Sequence, residues 1–423
     1  MKRWFLLLSL FMTLTSCAPG PSDEEVIFWH AMGRWEGVLV EIIEEFNATH
    51  PQYLPVKAYN MSRYQALSQK IIAAVAAGQP PTISQAYESW TNEMRSAKII
   101  ECLQDYADGP KGLSDADWED IQPVFLEECR DSEGRLWSFP FNKSVRSLFL
   151  NRDFFRDYGY DPDLPPEDWS SWRDMSLAMT RDLDGDGRND HWGSTAKNSV
   201  TFFGNLLLQN GGDFFTPDGK RSAIDSPEGV EAMEFMWELL GSRKMGYSTF
   251  DYAYQNEFKA GLVGMMESSS VSLSFLRGKI DFELGVAPLP GRKKRCALIQ
   301  GTNLVVFKKA NERQKESAWA FIRFLTNQEN ATKWSLATGY APLRKSCLEA
   351  ESMKALMQEV PGLRETYEQL TLSRSEPSNM AWFAGRKYLE EGAIQRVMRG
   401  SADPAEALHK TVAKINREID SEL

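Results

Sequence analysis

Val26-Ile27-Phe28-Trp29-His30 is the stretch on which the fold turns. Four consecutive apolar residues without alternation read as a strand buried on both faces, as in a parallel sheet covered by helices. The following segments keep that pattern. Val38, Ile42 and Phe46 fall on one face of a helix, residues 53–56 predict a second strand, and residues 64–77 carry Leu67, Ile71 and Val75 at helical spacing. Residues 82–86, after Pro80-Pro81, form the third strand. Strand–helix–strand–helix–strand with turn residues between them predicts an α/β fold on a parallel sheet.

A second unit opens at residues 148–150. It continues with a helix starting at Trp169, strands at 264–266, 282–287 and 304–307, and a helix at 317–325. The last helix takes Asp403 as its cap and Pro404 in its first turn. Leu408, Val412, Ile415 and Ile419 share one face of it, which makes it a packing helix. The chain therefore reads as two α/β lobes.

The 423 residues are 42% apolar, which excludes a disordered chain and lets each lobe bury its own core without disulfide staples. The 48 Lys and Arg against 59 Asp and Glu leave a net charge of −11, which argues against nucleic-acid binding. Four His leave little room for zinc chemistry.

Lys2 and Arg3 precede a short apolar run, residues 4–14, too short to span a bilayer but suited to an export signal. Leu14-Thr15-Ser16-Cys17 resembles the bacterial lipobox, which implies removal of residues 1–16 and lipid attachment at Cys17. An ordinary cleaved signal that happens to contain a Cys is the alternative. Residues 17–25 read as a tether, and the expected product is lipid-anchored to a bacterial membrane and exposed to the periplasm or cell exterior. In that compartment Cys102, Cys129, Cys296 and Cys347 can form two disulfides in three connectivities, or stay free thiols.

Five stretches carry a family likeness: Phe28-Trp29-His30-Ala31-Met32, Pro81-Thr82-Ile83-Ser84-Gln85-Ala86-Tyr87-Glu88, Pro140-Phe141-Asn142-Lys143-Ser144, Ala318-Trp319-Ala320-Phe321-Ile322-Arg323-Phe324-Leu325 and Thr338-Gly339-Tyr340-Ala341-Pro342. The C-terminal Pro404-Ala405-Glu406-Ala407-Leu408 adds a sixth. In this order they resemble the extracellular solute-binding proteins of ABC importers, which include maltose-binding and glycerol-3-phosphate-binding proteins, the latter branch most of all. The resemblance implies a type II periplasmic-binding-protein fold: two lobes, three chain crossings and ligand between the lobes. It places the crossings near residues 142–145, 298–302 and 324–328. The N-lobe is then 26–142 plus 302–325, and the C-lobe 146–298 plus 330–423. It further implies a monomer that delivers a carbohydrate or polyol to permease and ATPase subunits on separate chains, with no covalent chemistry and no cofactor.

Matched residue by residue, the resemblance places Tyr64, Glu88, Ser144, Ser269, Gly301 and Tyr340 at the ligand, with Trp169 at a helix start where family members often carry Trp. A carboxylate such as Glu88 suits a polyol because it accepts from two adjacent hydroxyls. The plainer alternatives are a surface carboxylate for Glu88 and core packing for Tyr340 and for Trp29, Trp90, Trp169 and Trp382. The glycerol-phosphate branch carries an Arg for phosphate where this chain has Ser375-Glu376-Pro377-Ser378-Asn379, with Arg374 nearby and Arg34 and Arg146 as substitutes. A Glu there repels a phosphate, so the reading leans to a neutral carbohydrate, with glycerol 3-phosphate or a glycerophosphodiester as the alternative.

Asp182, Asp184, Asp186 and Asp190 occupy positions 1, 3, 5 and 9 of a calcium-type loop, with Gly187 at 6 and Arg188 offering its carbonyl at 7. Gly193 stands where a bidentate Glu is expected, which leaves two readings: a structural calcium site or a solvated acidic turn. A secreted glycoside hydrolase is the rival of another class. It needs two carboxylates about 5–10 Å apart, and no local motif pairs them. A surface adhesin is the other rival.

Overall fold

The computed structural model describes residues 24–422. The export signal and Cys17 lie outside these residues. No described helix is long and apolar enough to cross a membrane.

The strands are β1 (Val26–His30), β2 (Val56–Asn60), β3 (Ile83–Ala86), β4 (Phe139–Asn151), β5 (Trp192–Lys197), β6 (Gly246–Thr249), β7 (Val263–Ser269), β8 (Leu284–Ala287), β9 (Leu298–Val306) and β10 (Arg374–Ser375). They run in the order β2-β1-β3-β9-β4-β7-β5-β6, with β10 beside β9 and β8 beside β4. β1 is parallel to β2 and β3, as its fully buried VIFWH run demands. Helices α1 (Glu36–Thr49) and α2 (Tyr64–Ala76) connect these strands, α1 burying Leu39, Ile42, Ile43 and Phe46. The second lobe repeats the plan with β5 parallel to β6 and β7.

β4 joins the lobes. Residues Phe139–Val145 pair with β9, whereas Arg146–Asn151 pair with β7 and β8, so the strand changes sheet between Val145 and Arg146. The expected second unit at residues 148–150 is thus the end of a strand that begins at Phe139. Polar residues hid its length, and three of them have partners inside the protein. Asn142 accepts from the Trp334 indole at 2.9 Å, Lys143 pairs with Glu128, and Arg146 clasps Glu267 at 2.7 and 2.5 Å. Gly301 on β9 lies opposite Lys143 with φ +148°, and a Cβ there would overlap the Asn142 carbonyl.

Two other expectations are corrected. The strand expected at 53–56 starts instead at Val56, because Leu54 gives its N–H to Ser317 and Pro55 has none to give. The crossing expected at 324–328 is a helix junction: Asn327 caps the next helix, Gln328–Thr338, which still packs on α1. Arg344 remains tied to Asp117 and to the Thr326 carbonyl in the first lobe, and Pro361 is where the chain bonds Val286 of β8. The final helix, Pro404–Glu422, starts as expected, with Asp403 accepting from the Glu406 amide.

Candidate functional site

Where β4 and β9 pass between the lobes, a cavity of about 750 Å³ opens with walls from both. Tyr64 begins α2 and Gly301 lies on β9. Ser144 comes from the crossing strand, Ser269 ends β7, and Tyr340 follows the helix Gln328–Thr338. Gly339, in the left-handed conformation, ends that helix and turns Tyr340 inward. Five of the seven residues expected at the ligand thus line one cavity.

Their surroundings are hydroxyl-rich. Ser144 donates to the Gln300 carbonyl at 3.2 Å. On the facing lobe Tyr254, Ser268 and Ser272 form a buried hydroxyl chain, with Tyr254–Ser268 at 2.6 Å and Ser268–Ser272 at 2.7 Å. Burial pushes the Tyr64 and Tyr340 phenols above their ordinary range, so both stay neutral donors at physiological pH. Trp35 backs Tyr340 edge-on at 5.9 Å. Neutral hydroxyls and aromatic walls suit hydrogen-bonded capture of a polar solute.

Trp169 is not in this cavity. It is buried in the second lobe, stacked on Phe235 at 4.3 Å with its indole N–H on Gln209. The helix start does place it, through the Asp168–Ser171 capping box, but the side chain turns into the core. Trp29 and Trp382 are core residues too, whereas Trp90 is half-buried. Glu88, at the first turn of the helix α3 (Glu88–Ser96), lines a neighbouring chamber that shares only Tyr87, Gln300, Gly301 and Arg386 with the first.

Each Arg offered by the sequence as a phosphate partner is already engaged. Arg374 pairs with Asp213 at 2.8 Å, Arg146 with Glu267, and Arg34 lies 3.9 Å over the Phe275 ring. Arg386, from the helix Met380–Lys387, also lines the cavity, together with Lys197 and Lys259, and it pairs with Glu376. Sequence reading missed it because it stands twelve residues beyond Arg374 and only the helix brings it back. Tyr254, Ser268 and Gln300 were missed as well: Ser268 adjoins Ser269 and Gln300 lies in the crossing at 298–302, whereas Tyr254, at the start of the helix Tyr254–Lys259, had no marked neighbour.

In the acidic loop, Asp182, Asp184 and Asp190 bring carboxylate oxygens within 4.8 Å of one another. Asp182 also accepts from the Gly185 and Gly187 amides, and Asp186 from the Arg188 amide. Asp186 and Arg188 are not part of the converging group. Cys102, Cys129, Cys296 and Cys347 are all free thiols.

The family model for bacterial extracellular solute-binding proteins matches residues 41–361. The chain belongs to that family. This solute-binding protein is 26% identical over 402 residues to the sn-glycerol-3-phosphate-binding periplasmic protein UgpB of Escherichia coli (strain K12), covering 92% of this chain and 91% of that one. Its fold is similar to the crystal structure of UgpB from Mycobacterium tuberculosis in complex with glycerophosphocholine, with a TM-score of 0.80, 22% identity and 94% and 99% of the two chains covered. It is equally similar to the sugar-binding protein MalE from Xanthomonas citri, with a TM-score of 0.80, 20% identity and 94% and 98% covered. Both structures share its two-lobed architecture.

Proposed function

We propose that this solute-binding protein captures a small polyhydroxylated solute, a carbohydrate, between its lobes and delivers it unaltered to an ABC permease. The permease and ATPase are separate chains, the binding protein acts as a monomer, and lipid on Cys17 holds it at a bacterial membrane. The observation that carries this reading is the shared cavity, whose hydroxyls and aromatic faces come from both lobes. A solute bridging the two walls favours the closed form by its extra affinity for that form, and the permease reads closure. A calorimetric panel of sugars, polyols, glycerol 3-phosphate and glycerophosphodiesters tests it. Tyr340→Ala is expected to weaken the bound solute about tenfold or more; an unchanged constant contradicts the assignment.

Arg386 supports a second reading, in which the solute carries a phosphoryl group. Arg386→Gln separates the two: a phosphorylated solute is lost and a neutral sugar retained. For the loop at 182–190 we propose a structural calcium ion held by Asp182, Asp184 and Asp190. Calcium is expected to raise the melting temperature and Asp184→Asn to remove the rise; no rise in the unmodified protein marks a solvated turn.

A further inference from the structure

Arg34, read from the sequence as a substitute partner for phosphate, has a different neighbour in the fold. Gly33–Trp35, one 3₁₀ turn between β1 and α1, carries Arg34 and Trp35 on the first lobe. Leu273–Leu276, a helical turn after β7, carries Phe275 on the second. The Arg34 guanidinium lies 3.9 Å over the Phe275 ring, and the Trp35 indole meets that ring edge-on at 6.1 Å. Among the described residues Arg34 makes no hydrogen bond or ion pair, so the ring of the other lobe is its partner there.

Phe275 lines the main cavity, whereas Arg34 and Trp35 do not. Arg34 is exposed and Phe275 half-buried, which puts the contact at the cavity's rim. The lobes meet again beside it. A Cβ on Gly339 would stand 2.8 Å from the Ser270 carbonyl of the second lobe, and Trp35 backs the next residue, Tyr340.

We propose that Arg34, Trp35 and Phe275 form a clasp that holds a fraction of the molecules closed before any solute enters. The Arg34 and Trp35 contacts with Phe275 join residues of different lobes, so they are lost when the lobes part and regained when they close. A guanidinium on an exposed ring face raises the closed population about two- to fivefold relative to the open one. A solute that bridges both walls gains from a closed arrangement already populated, so the bias enters the affinity of every such solute. Arg34 is thus a positioning residue: it acts on affinity without touching the solute. The clasp stands whichever solute the cavity takes.

The test uses the purified full chain with Cys102→Ser and spin labels on Ile72→Cys and Leu164→Cys, positions each 66% exposed and on different lobes. Distances between the labels are recorded by pulsed electron resonance without solute. A short-distance population is expected beside a longer one, and Arg34→Ala is expected to lower their ratio about two- to fivefold. Phe275→Ala lowers it as well, and Arg34→Lys, which keeps a cation over the ring, restores part of it. Distributions that lack the short distance, or that Arg34→Ala leaves unchanged, overturn the clasp. Maltose and sn-glycerol 3-phosphate are then titrated into unlabelled protein, where Arg34→Ala is expected to weaken whichever binds by that same factor. An unchanged constant, or a loss confined to sn-glycerol 3-phosphate, overturns the clasp, the latter by making Arg34 a direct partner of phosphate. If neither solute binds, those two solutes fall as readings of the cavity, and the distance measurement still decides the clasp.

Discussion

Lys143 is the most exacting place to perturb this molecule. It sits on the strand that changes lobes, its side chain is wholly buried, and its partner Glu128 is 3% exposed. Burial pulls its pKa down to about 8, so it is predominantly charged at neutral pH. Removing the ammonium with Lys143→Met leaves the Glu128 carboxylate in the interior with the Ser375 hydroxyl, at 2.7 Å, as its remaining hydrogen-bond partner. Breaking one half of a buried pair costs about 3–5 kcal/mol, because the stranded charge has lost its compensation. For a lobe-sized domain that is a fall in Tm of about 6–20 °C. The companion change, Glu128→Leu in the same chain, removes the stranded charge and is expected to restore stability to within about 1 kcal/mol. Urea and thermal unfolding of the two variants measure both numbers. A loss under about 1 kcal/mol for Lys143→Met, or a double variant no better than the single, refutes the argument that this charge pair is uncompensated by solvent.

Two further outcomes follow from single buried positions. His30 is fully buried and accepts the Met32 amide on Nδ1, and burial lowers its pKa to about 4. Between pH 6.5 and about 4 the unfolded chain binds a proton that the folded chain refuses, so stability falls as pH falls through that window; His30→Asn is expected to flatten the slope in urea titrations taken across it, and an unchanged slope contradicts this. Gly301→Ala forces a Cβ against the Asn142 carbonyl at a left-handed φ and is expected to cost at least about 2 kcal/mol in the same assay; a neutral result shows that the crossing strands can separate there.

The regular parts of the fold were legible because their residues obey one rule at a time. VIFWH is apolar throughout because both faces of β1 are covered, and the helices after it bury the stripe their spacing announces. The crossing strand was half legible. Its polar residues look like a loop until the Lys143–Glu128 and Arg146–Glu267 pairs are seen, and those partners lie 15 and 121 residues away. Site residues followed the same division. Tyr64, Ser269 and Tyr340 sit at element ends and Ser144 and Gly301 on the crossing strands, all within local motifs, and they converge. Trp169 has a local motif as well, but a helix start fixes where a residue begins and not which way its side chain turns; the stack on Phe235 is a long-range fact. Arg386 could not be read at all, since nothing near it in sequence tells that its helix faces Tyr87 and Gly301.

In the proposed function, a solute touching both walls draws the lobes together. Small-angle scattering on the protein stripped of solute, then saturated with the tightest ligand of the calorimetric panel, tests it most directly. A smaller radius of gyration with ligand, lost in Tyr340→Ala at the same concentration, is the predicted result. Identical scattering curves with and without a ligand shown to be bound would contradict it.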